Sequence, residues 1–208
     1  MRRIARAGAL VVAVCVVASA SPVLADAARA AAPHPQRGRR PAFVVDGRAT
    51  PIREVVADLV TLARNGQLGI VAVNDEGDRI PVQGVVATWI TKLIHAAVAA
   101  AEIERRGVAI TPAHRALGRR FDRHAYGADV WRGFPRGFQQ RQVERTAGII
   151  ALAEDEGFDL TKPRQTRHAV VALVSDLARH ASVEVAPRFG TWNAELAVVV
   201  PPLEGPQS

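Results

Sequence analysis

The chain has 208 residues, a single cysteine and a formal charge of +7, from 27 Lys and Arg against 20 Asp and Glu. The excess lies in the first 41 residues: 1–25 hold +3, 26–41 hold +3 and 42–208 only +1. A length that fits one domain, a nearly neutral body and one thiol exclude a bulk nucleic-acid binder and a disulfide framework.

Residues 1–25 follow the three-part order of an export signal. Arg2, Arg3 and Arg6 form the basic end, and residues 7–20 are an almost continuous apolar run. Pro22 then breaks the helix before Val23-Leu24-Ala25, where a signal peptidase reads; a cut after Ala20 is the alternative. The run is too short to anchor in a bilayer. Val14 stands where a lipoprotein site wants Gly, Ala or Ser ahead of Cys15, so the mature chain is expected without lipid and without a thiol. Its expected place is outside the cytoplasm, secreted or in the cell envelope. Residues 26–41 (DAARAAAPHPQRGRRP) read as a flexible linker, 42–200 as the folded domain and 201–208 as a loose tail.

The domain opens with Phe43-Val44-Val45, Asp46-Gly47 and Arg48-Ala49, a tight hairpin by its Asp-Gly turn. Thr50 should cap a helix whose first residue is Pro51. Ile52, Val55, Val56, Leu59, Leu62 and Ala63 fall on one face of it, and Asn65-Gly66 stops it. Residues 67–79 read as a connector with a solvated turn at 74–78. The longest apolar segment, 81–106, carries Val85, Val86, Trp89, Ile90, Leu93 and Ile94 over more than half of a helix circumference. That width predicts a central core helix, and Lys92 and His95 near its middle argue against a membrane span.

Thr111-Pro112 predicts a second capped start and a polar helix to about His124. Residues 126–137 are rich in aromatics and glycine. Further helices are expected at about 135–156 and 163–181, then a short strand, Val183-Glu184-Val185. The fold class is therefore mainly α, one helical domain around a long central helix, with a small β element made where chain start and chain end meet.

Little catalytic chemistry is visible. There is no Cys-x-x-Cys, His-Glu-x-x-His, Gly-x-Ser-x-Gly or phosphate-binding Gly-x-x-x-x-Gly-Lys. Ser175, Asp176 and His180 share one helix, where five residues turn Ser175 and His180 apart. His114, Asp122 and His124 can be pictured around a metal, but histidines ten apart do not share a helix face, and both read as surface residues. No cofactor, metal or catalytic residue is expected. Residues 105–145 hold ten basic against three acidic residues; they read as a solvated face answered by acidic neighbours, or as a basic face for acidic clients or an anionic membrane. Trp131, Phe134 and Phe138 beside it read as a client-binding surface made adaptable by Gly133 and Gly137, or as a plug between two helices.

Three stretches resemble the exported bacterial chaperones with a SurA-like N-terminal domain, especially the short forms related to parvulin-type peptidyl-prolyl isomerases. They are residues 44–51 (VVDGRATP), 104–112 (ERRGVAITP) and, most specific, 183–193 (VEVAPRFGTWN). The resemblance implies a helical domain closed by a strand and a role in holding unfolded exported polypeptides. The interval between central helix and closing strand reads as three helices, not as the four-stranded sheet of an isomerase site. The expectation is thus a non-enzymatic, chaperone-like protein whose partners are unfolded or nascent exported polypeptides. The alternatives are an isomerase-type foldase and a cell-envelope adaptor on an anionic surface.

Overall fold

The computed structural model describes residues 40–68, 72–73, 79–80, 82–160 and 163–202. The export segment 1–25, the linker up to residue 39, the turn at 74–78 and the tail beyond 202 lie outside the described residues.

Strands β1 (Pro41–Val45) and β2 (Arg48–Pro51) form the expected hairpin, with Val45 opposite Arg48. Asp46 and Gly47 both take positive φ, 47° and 78°, as a two-residue turn of this hand requires. Thr50 is not a helix cap. It pairs with Phe43 in the ladder, and the N–H of Ile52 is served by the Arg40 carbonyl at 3.2 Å. Strand formation has taken the residue that local sequence assigns to the helix. α1 (Ile52–Arg64) buries Ile52, Val55 and Leu62, and stops where Asn65 and Gly66 turn. Asp58 lies on the same buried face. Its carboxylate is fully buried and accepts from Arg141 at 2.7 Å and Arg145 at 2.8 Å, which ties α1 to a helix more than eighty residues onward.

In the expected connector, β3 (Ala72–Val73) pairs with β4 (Arg79–Ile80). α2 (Val82–Arg106) is the central helix. By length and hydropathy alone residues 83–106 would suffice to cross a membrane. In the fold this helix is packed against β1 and against four elements further along the chain, and it buries Trp89, Ile90, Leu93, Ile94 and Val98 while Lys92 stays exposed. Each large side chain so buried contributes roughly 1.5–3 kcal/mol.

α3 (Pro112–Tyr126) starts with a reciprocal cap. The Thr111 hydroxyl accepts from His114 N–H, and the Thr111 N–H donates to His114 Nδ1. His114 is therefore a buried capping residue, with Nε2 2.5 Å from Glu154, and not the surface histidine expected; His124 is exposed. A short helix, α4 (Ala128–Gly133), adds a fourth helix to the three expected in this interval, and α5 (Arg136–Asp155) follows. α3 lies close along α5 because Gly118 lacks a side chain: a Cβ there would sit 3.1 Å from the Ala147 nitrogen.

α6 (Pro163–His180) leads to β5 (Val183–Val185). β5 joins β1, giving the order β2-β1-β5 with Phe43 opposite Val185. Ser182 N–H donates to the Asp46 carboxylate at 2.8 Å, so chain start and chain end are locked at the turn. After a single 3-10 turn (Pro187–Phe189), β6 (Thr191–Asn193) and β7 (Val198–Val200) form a further hairpin that covers α2. The Val199 N–H donates to Thr91 Oγ1 at 2.9 Å.

Candidate functional site

The apolar band of α2 is wider than its neighbours cover. Where it passes the end of α1 and the inner faces of α3, α5 and α6, a cleft of about 650 Å³ remains, within the size range of ligand sites. Its wall is mostly apolar. It is lined by Leu62 of α1 and Leu68 just beyond it, by Leu93 of α2, and by Val170, Val171 and Val174 of α6. Val171 is 57% exposed, so the apolar wall continues to the surface at this lip.

Three buried polar groups interrupt that wall. Trp89 on α2 is 5% exposed, while Asp122 on α3 and Gln142 on α5 are each 7% exposed. The Trp89 indole Nε1, Asp122 Oδ2 and Gln142 Nε2 have no hydrogen-bond partner among the described residues. The other Asp122 oxygen accepts from the Thr146 hydroxyl at 2.8 Å. Burial pushes the Asp122 carboxyl up to about 6, against the Thr146 hydrogen bond and the Lys92 charge. Burial also raises the Tyr126 phenol and lowers His95, whose Nε2 lies 2.8 Å from the Ala197 carbonyl oxygen. Arg145 faces the cleft too, but its guanidinium is engaged by Asp58. The three unpartnered atoms of Trp89, Asp122 and Gln142 are themselves fully buried, behind the open surface of the cleft.

Trp131, Phe134 and Phe138 are 5%, 3% and 2% exposed, so they fill the gap between helices and present no face to a client. Tyr126 packs edge-on to Phe134 at 5.1 Å; Phe134 meets Phe138 at 4.6 Å, and Phe138 stacks on Trp89 at 6.2 Å. The Gln139 side-chain amide donates to the carbonyls of Trp131 and Phe134, which pins the segment. Two glycines at loop-like spacing hid this: the rings turn inward because partners from other elements complete the cluster. That cluster backs the cleft, since Trp89 and Tyr126 line it and Phe138 stands behind Trp89.

No three potential ligands gather for a metal among the described residues, so His114, Asp122 and His124 do not form one site. His180 Nδ1 hydrogen-bonds the Asp176 carbonyl at 2.8 Å. In the basic block, Arg105, Arg106, Arg115, Arg132, Arg141 and Arg145 each meet a carboxylate. Arg119, Arg120, Arg123 and Arg136 are exposed and have no carboxylate partner among the described residues. The cleft residues had a signal in the sequence. Asp122 follows buried Gly118 by four, and Gln142 follows buried Phe138 by four, so each is a polar residue on a core-facing stripe.

Compared with protein-family models, curated proteins and solved structures, the chain matches none.

Proposed function

We propose that the protein is an exported, chaperone-like binding protein that holds apolar segments of unfolded polypeptide outside the cytoplasm. The observation that carries this reading is the cleft, a largely apolar wall open to the surface along Val171 and backed by a packed aromatic cluster. Export is supported by the basic, apolar and small-residue order of 1–25, and client holding by the SurA-like resemblance, strongest over 183–193. The cleft, not the aromatic segment, is the contact surface in this reading.

The test uses the mature chain, residues 26–208, in a client-aggregation assay with a proline-isomerisation assay on the same sample. Aggregation of an unfolded protein is expected to be delayed, with proline isomerisation left at its uncatalysed rate. Ala125 is exposed on the cleft rim, so Ala125→Trp should block the cleft without disturbing the core and remove the delay. A chain that delays nothing, or an Ala125→Trp variant that holds clients as well as the parent, would overturn the reading.

Arg119, Arg120, Arg123 and Arg136, which meet no carboxylate among the described residues, favour a second reading, an adaptor seated on an anionic envelope surface. Salt separates the two. Surface electrostatics fade over a Debye length of about 8 Å at physiological ionic strength, while apolar holding persists.

A further inference from the structure

We infer that the cleft selects client segments in which an acidic side chain interrupts the apolar run, and that this carboxylate pairs with Arg145. This rests on the cleft being the client site. Arg145 on α5 lines both the cleft and a smaller cavity beside it of about 280 Å³, and Ala96 on α2 is the other residue the two share. The Arg145 side chain is 24% exposed, so it stands at the surface where the two meet. The lining residues of α2 run from Gly84 in the cleft to Ile103 in the smaller cavity, roughly 28 Å of helix. An extended segment of about eight residues covers that length. Ala96 lies inside the span and not at an end of it, so the acid that meets Arg145 belongs within the segment.

Charge narrows the ligand. The single, fully buried carboxylate of Asp58 accepts from two guanidinium groups, Arg141 at 2.7 Å and Arg145 at 2.8 Å, which leaves one positive charge unanswered. Arg145 commits Nη1 to Asp58. Its Nε and Nη2 have no hydrogen-bond partner among the described residues, and these are the donors a second carboxylate would use. The other charges facing the cleft do not cancel the surplus. Lys92 is set against Asp122, and burial lowers His95 towards its neutral form. Glu144, in the smaller cavity, is taken by Arg115 at 2.8 Å. A wholly apolar segment laid over Arg145 would strip water from a charge and return nothing, and a basic one would add repulsion. An acidic side chain supplies the missing charge. A fatty acid carries its charge at one end, whereas Arg145 stands within the span, so the position favours a polypeptide.

The experiment measures binding of three capped octapeptides of Leu, Val and Ser to the mature chain, identical except for Glu, Gln or Lys at the fourth residue. The Glu peptide is expected to bind about tenfold more tightly than the Gln peptide, the effect of one charge-assisted hydrogen bond, and the Lys peptide more weakly than either. Arg145→Gln should bring the Glu-to-Gln ratio close to one. That change leaves buried Asp58 with a single partner, so melting is followed in parallel and Arg141→Gln serves as a second variant. It removes the surplus charge from outside the cleft, keeps Arg145 on Asp58, and should lower the ratio about threefold. Equal binding of the Glu and Gln peptides to the parent chain would overturn the inference and leave apolar holding intact. So would a ratio unchanged in Arg145→Gln, or in Arg141→Gln should the first variant not fold. Binding of none of the peptides, with no delay of aggregation, would overturn the functional reading beneath it. Octanoate bound more tightly than the Glu peptide would put a free amphiphile in place of the client segment and equally sink the inference.

Discussion

Asp122 shows how one residue joins stability to the site. Its folded-state carboxyl titrates at about 6, above the ordinary 3.8, because burial penalises the charge. A group raised on folding stabilises most below its unfolded value and loses that contribution as pH rises through the folded one. From this group the chain should lose about 3 kcal/mol between pH 4 and 7. The charged or titratable neighbours facing the cleft are Lys92 and His95 on α2, Tyr126 on α3 and Arg145 on α5. Glu102, held down to about 2 by Arg105 and then Arg106, acts in the opposite sense and only below its ordinary value. Denaturant unfolding across pH should therefore find Asp122→Asn gaining on the parent chain from pH 4 to about 6 and level beyond. Parallel profiles would mean that the carboxyl is not desolvated. In the sequence, Asp122 was visible only as one of three possible ligands; that its carboxyl is buried depends on Thr146 and the α2 face, both far along the chain.

At the scale of elements, legibility followed periodicity. The stripes of α1, α2, α5 and α6 are long enough for the 3.6-residue repeat to declare itself, and Thr111 marked the start of α3. β3 and β4, two residues each, are too short for any alternation. Val198-Val199-Val200 has no alternation either, and only its pairing with 191–193 makes it a strand. That pairing depends on Gly190, at φ 119°, where a Cβ would lie 2.1 Å from the Val200 carbonyl oxygen. The closure by β5 was readable because a lone strand leaves its backbone unpaired, and Phe43-Val44-Val45 was the matching segment at the other end. Removing residues 183–208 strips β5 from β1 and the last hairpin from α2. The truncated chain should unfold at markedly lower temperature by circular dichroism; melting equal to that of the full domain would show that the closure holds nothing.

For the whole molecule, the sequence indicated a helical body with joined ends, and of its two readings of the aromatic segment the burial fits the plug between helices. Trp131, Phe134 and Phe138 stood out because they are large and close together, yet size is what places a ring in a core. The cleft is assembled from α1, α2, α3, α5 and α6, and no local window contains more than one of its walls. Asp58 was the same kind of omission: a carboxylate on an apolar stripe whose arginine partners lie 83 and 87 residues away. The central claim is that unfolded polypeptide sits in this cleft. Its most direct test is photo-crosslinking of a radiolabelled unfolded client to the mature chain, with the photoreactive side chain placed at Val171 on the cleft lip or at exposed Arg119 on α3. The account predicts strong crosslinks from Val171, lost when Ala125→Trp fills the cleft, and little from Arg119. Equal crosslinking from both positions, or from Arg119 alone, would contradict it.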